Sequence, residues 1–556
     1  MFVRAKIVDG VTYLQLVENQ RVDGKTKQRV IGSLGRLDAV KESGGIDGLL
    51  VSLAKFSDKL AVLGEMKGLD LSVQPKREIA PALVFGRLWR EVGLDGVIRD
   101  LLGGRKFEFD VERAVFLTVL HRLCDPGSDR QAALWKESLG VAAFTKLDLH
   151  HLYRAMAWLG EELPESEQDS DPTPLTKRCA KDRIEELLFD RRRDLFTKLD
   201  LVFFDTTSIY FEGEGGESIG QRGHSKDHRP DLKQMVVGAV IDSAGRPVCC
   251  ELWPGNTTDV TTLVPVARRL KTRFGIERVC VVADRGMISE KTRSELQQLG
   301  FLYIIGVRMR SSNRADEVLS RPGRYHVITP PRQHAKDPSP LEVKEVILDD
   351  LPGVRHVICR NEDQAGKDRH DRDAIITALE TALKKGDKSL IGNNGFRRFV
   401  ATSDEKAFAI DYAKAKAEER LDGKWLLVTN ADAQTLSTVD IAVKYKQLWM
   451  VEDIFRSMKS LLETRPIWHK HDQTIRGHVF CSFLALILRK ELQDRLERAG
   501  HGDVEWADII NGLRAIAEFD LTTTGKEFTV RTNATGAAAK AIAATGVALP
   551  PVIRQH

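Results

Sequence analysis

The hydrophobic and polar positions change their period several times along the chain, and each change predicts a different kind of element. Residues 1–75 begin with apolar and polar positions that alternate on both sides of the turn-prone segment VDGKTK, which predicts a small β hairpin unit followed by a helix. From residue 76 to about 195, apolar residues recur with helical spacing in LVFGRLWREVGL, VERAVFLTVLHRL, HHLYRAMAWLGEEL and RIEELLFDRRRDLFTKL. This second segment is therefore predicted to be an all-α module with basic residues on its surface.

Strand patterns begin at Leu201. Apolar runs bounded by turn residues occur in LVFFDTTSIYF, LKQMVVGAVIDSAGRPVCCELWPG and RVCVVADRG, and they predict the strands of an α/β core. The charge-rich stretch that follows contains candidate strands EVKEVIL and VRHVICR and a helical run over residues 367–385, and we interpret it as an insertion. The strand KWLLVTN then resumes the core, and amphipathic helices are predicted over residues 438–462 and at HVFCSFLALILRKEL.

Six segments follow from these patterns. The stretch PESEQDSDPTP, residues 164–174, is predicted to be a solvated loop within the helical module, and ATGAAAKAIAATG beyond residue 535 is low in complexity and is expected to be poorly ordered. The segments are a β-rich unit (1–75), a helical module (76–197), the first part of the α/β core (198–310), an insertion (311–423), the second part of the core (424–500) and a C-terminal helical tail (501–556).

Composition limits the classes of protein that fit. The chain has 556 residues, of which 42% are hydrophobic and 29% charged, so several globular units are expected and disordered or fibrous classes are excluded. The 84 basic residues are nearly matched by 80 acidic ones, for a net charge of +4. Any surface for a polyanion must therefore arise from local segregation of charge.

The cysteines and apolar runs indicate a cytoplasmic protein. The odd number of cysteines and their scatter through apolar runs are typical of reduced thiols, and adjacent Cys249 and Cys250 are predicted to lie in a buried strand. The start MFVRAKIVDG lacks the apolar core of a secretory signal, and the run from Phe480 to Leu488 is too short to cross a bilayer.

Two aspartates are the first candidates for chemistry. Asp205 follows the apolar run VFF, and Asp284 follows VCVVA and precedes a predicted helix, SEKTRSELQQL. Taken alone, either residue is more readily explained as a helix cap or an Asx turn. A pair of carboxylates at two strand ends is nevertheless a possible site for a cation.

The helix predicted over residues 438–462 supplies a third carboxylate. At about 100° per residue, the apolar residues of this helix form a stripe on one face that is expected to pack in the core. An adjacent arc of roughly 60° contains the polar residues Tyr445, Glu452, Arg456 and Lys459. The stripe contains Val451, Ile454, Phe455, Met458, Leu461 and Leu462. A plain ion pair between Glu452 and Arg456 is the alternative explanation of this polar edge.

Three carboxylates suit hard divalent ions. Mg²⁺ prefers oxygen ligands, and two ions activate the attacking oxygen and stabilise the leaving oxygen of a displacement at phosphorus. Asp205, Asp284 and Glu452 are thus the candidate catalytic and metal-binding residues. Tyr445, Arg456 and Lys459 are candidates for contacts to a substrate phosphate.

The chain resembles insertion-sequence transposases of the DDE class, in the branch with the signature Tyr-x2-Arg-x3-Glu-x6-Lys. Tyr445, Glu452 and Lys459 fit this spacing, whereas Leu448 stands at the arginine position. The segments FFDTT and VVADRGM resemble the first and second aspartate motifs, and GHSKDHRPDLKQ, WPGNTTD and RPIWHKHDQTIRGHVFCSFLAL resemble flanking blocks. The likeness extends from about residue 100 to 490 and is strongest from residue 201.

The resemblance implies a fold, cofactors and partners. It implies an RNase H-like core interrupted by an insertion, and two Mg²⁺ ions per active site with Mn²⁺ able to substitute. It further implies a homodimer acting on terminal inverted repeats and target DNA, in the bacterial cytoplasm and on the nucleoid when bound to DNA. In such a protein the helical module (76–197) serves DNA binding or oligomerisation. The predicted function is cut-and-paste DNA transposition. The alternatives are an RNase H-like nuclease without strand transfer and an inactive DNA-binding relic.

Three further signals have competing explanations. The loop GHSKDHRPDLKQ is either a phosphate-binding loop, through Lys226, Arg229 and Lys233, or a solvated hairpin. The histidines at 469, 471 and 478 lack zinc-type spacing, so a surface or DNA-facing position is favoured over metal binding. Trp449 is expected to pack in the core rather than to stack on a base.

Overall fold

The computed structural model describes most of the chain, which divides into two compact units. One unit comprises Met1–Arg77, Ala517–Asn533 and Pro550–His556, and the other comprises Glu78–Ile516 and Ala534–Leu549. None of the described helices combines the length and the apolarity needed to cross a membrane. The described residues are 2–22, 25–42, 72–73, 76–168, 177–192, 200–276, 279–287, 289–311, 313–330, 340–385, 395–402, 408–523 and 526–556.

The N-terminal residues form a three-stranded antiparallel sheet, where the alternating pattern predicts a small β hairpin unit. Its elements are β1 (Phe2–Val8), β2 (Val11–Val22), β3 (Lys25–Arg36) and the helix α1 (Leu37–Glu42), and a short strand β4 (Ser72–Val73) follows. Asp9 and Gly10 join β1 to β2 with positive φ, as a type I′ hairpin turn requires. Strands β2 and β3 pair as far as Val22 and Lys25, and residues 23 and 24 of the predicted VDGKTK turn lie outside the described residues.

The helical module forms as predicted. After strand β5 (Arg77–Glu78), its helices are α2 (Ala80–Val92), α3 (Leu94–Leu102), α4 (Val111–Cys124), α5 (Asp129–Trp135), α6 (Leu149–Leu159) and α7 (Ala180–Arg191). Residues 169–174 of the predicted acidic loop and the predicted helical residues 193–199 lie outside the described residues.

The core of the second unit is a large mixed sheet that is covered on both faces. Its first elements are β6 (Asp200–Tyr210), β7 (Gln234–Asp242), β8 (Pro247–Pro254), α8 (Leu263–Phe274), β9 (Val279–Ala283), α9 (Glu290–Gln298) and β10 (Leu302–Val307). Strands β6, β9 and β10 are parallel neighbours, whereas β7 and β8 are antiparallel. Every residue of β7 and every residue of β9 is buried.

The segment interpreted as an insertion extends this sheet. It contains α10 (Asn313–Ser320), β11 (His326–Ile328), β12 (Leu341–Ile347), β13 (Arg355–Arg360), α11 (Glu362–Lys384), β14 (Val400–Thr402), β15 (Phe408–Ile410) and α12 (Tyr412–Glu418), and β16 (Lys424–Thr429) follows. The nine strands lie in the order β11-β12-β13-β16-β10-β9-β6-β7-β8. Elements α11 to α12 have a small core of their own, formed by Leu379, Ala382, Phe396, Phe399 and Ala415.

The prediction of one continuous helix over residues 438–462 is wrong. The chain forms α13 (Thr438–Lys446), α14 (Trp449–Arg456) and a π-helical turn, Ser457–Leu461. Between α13 and α14, the amides of Gln447 and Leu448 donate to carbonyls three residues back, which ends the α-helical pattern. The long helix α15 (Asp472–Arg498) then packs against α4 and α6 of the helical module and against β8.

The prediction of a helical and poorly ordered tail is also wrong. The C-terminal elements are α16 (Trp506–Ala515), β17 (Ala517–Thr523), β18 (Lys526–Arg531), α17 (Gly536–Thr545) and β19 (Ile553–Gln555). Strands β17, β18 and β19 join β4 in a second antiparallel sheet of the first unit. The alanine-rich α17 packs on α16, where a Cβ added at Gly512 would lie 3.0 Å from Cβ of Ala538.

Candidate active site

Asp205 and Asp284 lie side by side on neighbouring parallel strands. Asp205 is inside β6, Asp284 follows β9 directly, and the pairing of Phe204 with Ala283 puts the two aspartates in the same register. Neighbouring strands are about 4.8 Å apart, and side chains at the same register point to the same face. Because Asp205 is within a strand, the alternative of a helix cap does not apply to it.

Burial and like charges act together on Asp205. Burial raises the pKa of this carboxyl to about 7, Asp284 and Asp259 act in the same direction, and Lys226 opposes them. Lys226 Nζ lies 3.1 Å from Asp259 Oδ2 and donates to the carbonyl oxygen of Thr206 at 2.8 Å. A nearby cation stabilises the ionised form of a carboxyl group whose pKa is raised by burial and by neighbouring carboxylates. Carboxylate oxygens such as those of Asp205 and Asp284 therefore fit a hard divalent ion.

Tyr445 is the link between the signature helix and the second aspartate. Its hydroxyl donates to Asp284 Oδ1 at 3.0 Å, and burial beside Asp284 raises the pKa of the phenol, which keeps the donor protonated. Gly306 of β10 makes room for this contact, because a Cβ at that position would lie 2.3 Å from Tyr445 Oη. The glycine therefore allows the tyrosine to reach the aspartate.

Glu452 lies on α14, which packs against β6 and β7. Its side chain is exposed and lines the same cleft as Asp284 and Tyr445. The core stripe predicted for this helix is confirmed, since Val451, Phe455, Met458 and Leu462 are buried and Ile454 and Leu461 are partly buried. Leu448, at the position of the signature arginine, is 7% exposed and precedes α14 directly.

Lys459 is held inside the protein by a carboxylate. It lies on the π-helical turn, and its Nζ donates to Asp227 Oδ1 at 2.8 Å. Arg465 forms an ion pair with the same oxygen, and the side chain of Asp227 is 4% exposed. Burial lowers the pKa of Lys459, and the hydrogen bond that its ammonium group donates to Asp227 opposes that effect. Asp227 and Lys226 thus connect the loop between β6 and β7 with both the signature lysine and the first aspartate.

The remaining predicted phosphate contacts have carboxylate partners. Arg456 lies 3.3 Å from Asp453 Oδ1, so the pairing considered between Arg456 and Glu452 is not the one that forms. Arg229 Nη2 lies 2.9 Å from Asp231 Oδ2, and its guanidinium also lies over the ring of Tyr210. Lys233 Nζ lies 2.8 Å from Glu214 Oε2. These cations are on the surface, as a solvated hairpin and a phosphate-binding loop both require.

The cleft has a volume of about 860 Å³ and opens beside Asp284 and Glu452. Trp449 lines it and is partly exposed, so the prediction that this side chain packs in the core is wrong. Trp425 of β16 also lines the cleft, with the Lys446 ammonium 4.0 Å from the centre of its ring. Two tryptophans and several cations therefore surround the acidic residues.

The three histidines were predicted to lie on the surface or to face DNA, and this is wrong for His478. His478 is buried, its Nε2 lies 3.0 Å from the carbonyl oxygen of Thr464, and its Nδ1 lies 2.9 Å from Arg122 Nη2. His469 Nε2 lies 3.2 Å from Asp129 Oδ2 and 3.0 Å from His478 Nδ1. An arginine donor at the imidazole nitrogen leaves no lone pair there for a metal ion. His471 is exposed and contacts Glu217.

Three residues of the site were missed by sequence reasoning. Asp227 and Asp259 lie in the motif blocks GHSKDHRPDLKQ and WPGNTTD, which was the available signal, but neither stands at the end of a strand. Gly306 lies within the apolar run of β10, and a glycine inside a strand is a signal for close approach of another group.

Comparisons with known proteins relate both units to one class. A family model described as "Transposase DDE domain" matches residues 197–488, and a model described as "IS1634 family transposase, N-terminal domain" matches residues 3–65. A solved structure described as "Mos1 transposase paired-end complex with left transposon end" is similar at 16% identity over 36% of this chain, with a TM-score of 0.14. That match spans 59% of the Mos1 chain. A comparison with curated proteins gives no match.

Proposed function

The chain belongs to the family of transposases with a DDE domain, and on this premise we propose that it is a DNA transposase. It would cleave DNA at the ends of its insertion sequence and join those ends to target DNA. The observation that carries the proposal is the placement of Asp205 and Asp284 in one register on adjacent strands, with Glu452 on the cleft that Asp284 lines.

The sheet supports an RNase H-like core. Strands β8, β7, β6, β9 and β10 are consecutive, with β6, β9 and β10 parallel and β7 antiparallel to β6. In this arrangement the first aspartate is on the central strand β6 and the second follows its parallel neighbour β9. The interrupting residues 311–423 then separate the second aspartate from the helix that carries Glu452.

Asp205, Asp284 and Glu452 are the residues that would hold two Mg²⁺ ions, with Mn²⁺ able to substitute. Bound at these carboxylates, such ions supply an activated attacking oxygen and charge stabilisation of the leaving oxygen. The protein itself contributes to positioning, because Tyr445 donates to Oδ1 of Asp284, while Oδ2 has no side-chain donor among the residues that the structure describes. Lys226 keeps the carboxylate form of Asp205 accessible by opposing the effect of burial.

Basic residues around the carboxylates would contact DNA. Arg456 is exposed on the helix of Glu452 and would bind a phosphate by exchanging its contact with Asp453. The loop between β6 and β7 would contact DNA phosphates through Lys226, Arg229 and Lys233. Lys459 would also contact a phosphate, from the position in which its hydrogen bond to Asp227 holds it. The partners would be the terminal inverted repeats and the target DNA, bound by a homodimer whose helical module, residues 76–197, contributes to end binding.

The test is a cleavage assay on linear DNA that carries the flanking ends of the gene. We expect nicks at the element boundary with Mg²⁺ and none with EDTA. Glu452→Gln should lower the cleavage rate at least about a hundredfold and leave DNA binding unchanged, because it removes a charge that acts only in the reaction. The matched control is Glu290→Gln, because Glu290 is an exposed glutamate on α9 that does not line the cleft. This variant should cleave at the wild-type rate.

The products of the same assay separate the alternatives. Joining of cut ends to a target plasmid supports transposition, whereas cutting without joining indicates a nuclease. Specific binding without cutting indicates a DNA-binding relic. Wild-type cleavage by Glu452→Gln would remove Glu452 from the site.

A further inference from the structure

The cleft has an excess of positive charge. Its lining includes two carboxylates, Asp284 and Glu452, and six cationic side chains, Arg285, Arg308, Arg310, Lys424, Lys446 and Arg456. Clusters of like charge in a concave surface attract a polyanion and repel one another in its absence. The lining therefore indicates more contacts to DNA than the residues of the DDE signature provide.

Four of the six cations have interactions within the protein. Arg456 contacts Asp453, Arg310 lies 3.4 Å from Glu418, and Lys424 donates to the carbonyl oxygen of Arg420 at 2.7 Å. Lys446 lies over the ring of Trp425. Arg285 and Arg308 differ from these, because neither has a hydrogen-bond or ion-pair acceptor among the residues that the structure describes, and both are exposed.

Both free guanidinium groups are next to the second aspartate. Arg285 follows Asp284 directly in the chain. Arg308 lies just beyond the end of β10, and its Nη2 is 3.8 Å from the position that a Cβ on Gly286 would occupy. Arg308 therefore reaches from β10 to the turn that begins at Asp284. Asp259 is near the same turn, but its carboxylate is already bound to Lys226 and to the hydroxyl of Thr206.

We propose that Arg285 and Arg308 bind phosphate oxygens of the DNA strand beside the scissile bond. This inference rests on the proposed function and assigns it two substrate-binding residues that are not part of the Tyr-x2-Arg-x3-Glu-x6-Lys signature. A planar guanidinium can form two parallel hydrogen bonds with a phosphate, which fixes both the position and the orientation of the strand. The crowding of charge supports it, because burial and the neighbouring Arg285 lower the pKa of Arg310. A bound phosphate would relieve that repulsion.

DNA binding in EDTA tests the proposal without any cleavage. Each phosphate contact to duplex DNA contributes about 0.9 to the slope of log affinity against log salt concentration. The double variant Arg285→Ala, Arg308→Ala should lower that slope by roughly 2 on DNA carrying the element ends. Arg324→Ala is the control, since this arginine is also exposed and lies outside the cleft lining. The pair Arg285→Gln, Arg308→Gln repeats the measurement with larger side chains.

Cleavage with Mg²⁺, measured in parallel, separates this inference from the proposed function. A reduced slope in both double variants supports the inference, whether or not the wild-type protein cuts DNA. An unchanged slope overturns it, even if the wild-type protein cuts at the element boundary. If the wild-type protein does not cut DNA but the double variants have a reduced slope, the result contradicts the proposed function and leaves this inference supported. Arg308→Lys should retain the slope and lose cleavage rate, because lysine keeps the charge but not the paired hydrogen bonds.

Discussion

Gly306→Ala is expected to disable the active site from a residue that carries no reactive group. The new Cβ would lie 2.3 Å from Tyr445 Oη, 3.0 Å from its Cζ and 3.3 Å from the amide nitrogen of Arg285. Ordinary contacts to carbon are about 3.5 Å or longer, so the tyrosine must move by roughly 1 Å. Its hydrogen bond to Asp284 Oδ1, now 3.0 Å long, would then be lost or badly aligned.

The size of the effect follows from that hydrogen bond. A hydrogen bond to a charged group contributes about 1.5–3 kcal/mol, which corresponds to a factor of roughly 10–150. A displacement of 1 Å in a catalytic group has a similar effect on rate, about a hundredfold. We therefore expect Gly306→Ala to lower the metal-dependent cleavage rate by between one and two orders of magnitude.

The assay needs one control for the added methyl group and one for the tyrosine. Gly286→Ala adds the same group next to Asp284, but its nearest neighbours are 3.8 Å away, so it should cleave at nearly the wild-type rate. Tyr445→Phe removes the hydroxyl and should reproduce most of the loss. In the Tyr445→Phe background, Gly306→Ala should have little additional effect, because both changes remove the same contact.

Two results would refute this reasoning. If Gly306→Ala cleaves as fast as the wild-type protein, the contact between Tyr445 and Asp284 does not contribute to the reaction. If the losses from Gly306→Ala and Tyr445→Phe multiply in the double variant, the glycine acts by another route. Urea unfolding of each variant would show that the fold is retained.

Two further predictions concern stability. Asp227→Asn should lower the free energy of unfolding by about 3–5 kcal/mol, because it leaves Lys459 without its buried charged partner. Unfolding in urea measures this change, and the control Asp231→Asn, at an exposed aspartate, should leave the urea midpoint unchanged. Burial lowers the pKa of His121 from 6.5 to about 4, so the unfolded chain binds a proton that the folded protein excludes between those values. Stability should fall as pH drops through that window, by up to about 1.4 kcal/mol per pH unit, and His121→Leu should weaken this dependence while His471→Gln does not.

Sequence patterns predicted the elements whose signals are local. Each of the two aspartates directly follows an apolar run, and β6 and β9 were therefore recognised together with Asp205 and Asp284. The helical module was recognised from its period. The resemblance to DDE transposases depended on the same short motifs, and the match to the family model confirms it.

The missed features depend on contacts between distant residues. Nothing in KYKQLWMV, which contains neither glycine nor proline, marks the break between α13 and α14. That break occurs where Tyr445 turns toward Asp284 and Leu448 becomes buried, and both contacts are long-range. The pairing of Asp227 with Lys459 likewise joins residues on opposite sides of the insertion.

Low sequence complexity was misleading at the C-terminus. The segment ATGAAAKAIAATG has the composition of a disordered linker, yet Ala538 and Ala541 are fully buried and their small size permits close packing on α16. Composition reports the amount of apolar surface, whereas packing depends on where that surface lies. A helix of small residues is therefore invisible to composition alone.

The junction of β13 with β16 has a consequence for rebuilding the chain. These strands are antiparallel neighbours that pair up to Arg360 and Lys424, and the amide of Asn361 donates to the carbonyl oxygen of Gly423 at 2.9 Å. Residues 362–422 thus leave and re-enter the sheet at one point, in the way that a hairpin loop does. Gly423 has a φ of +66°, which suits a tight turn. This point is a natural graft site, where a short reverse turn or an unrelated small domain can replace the excursion without altering the strand order.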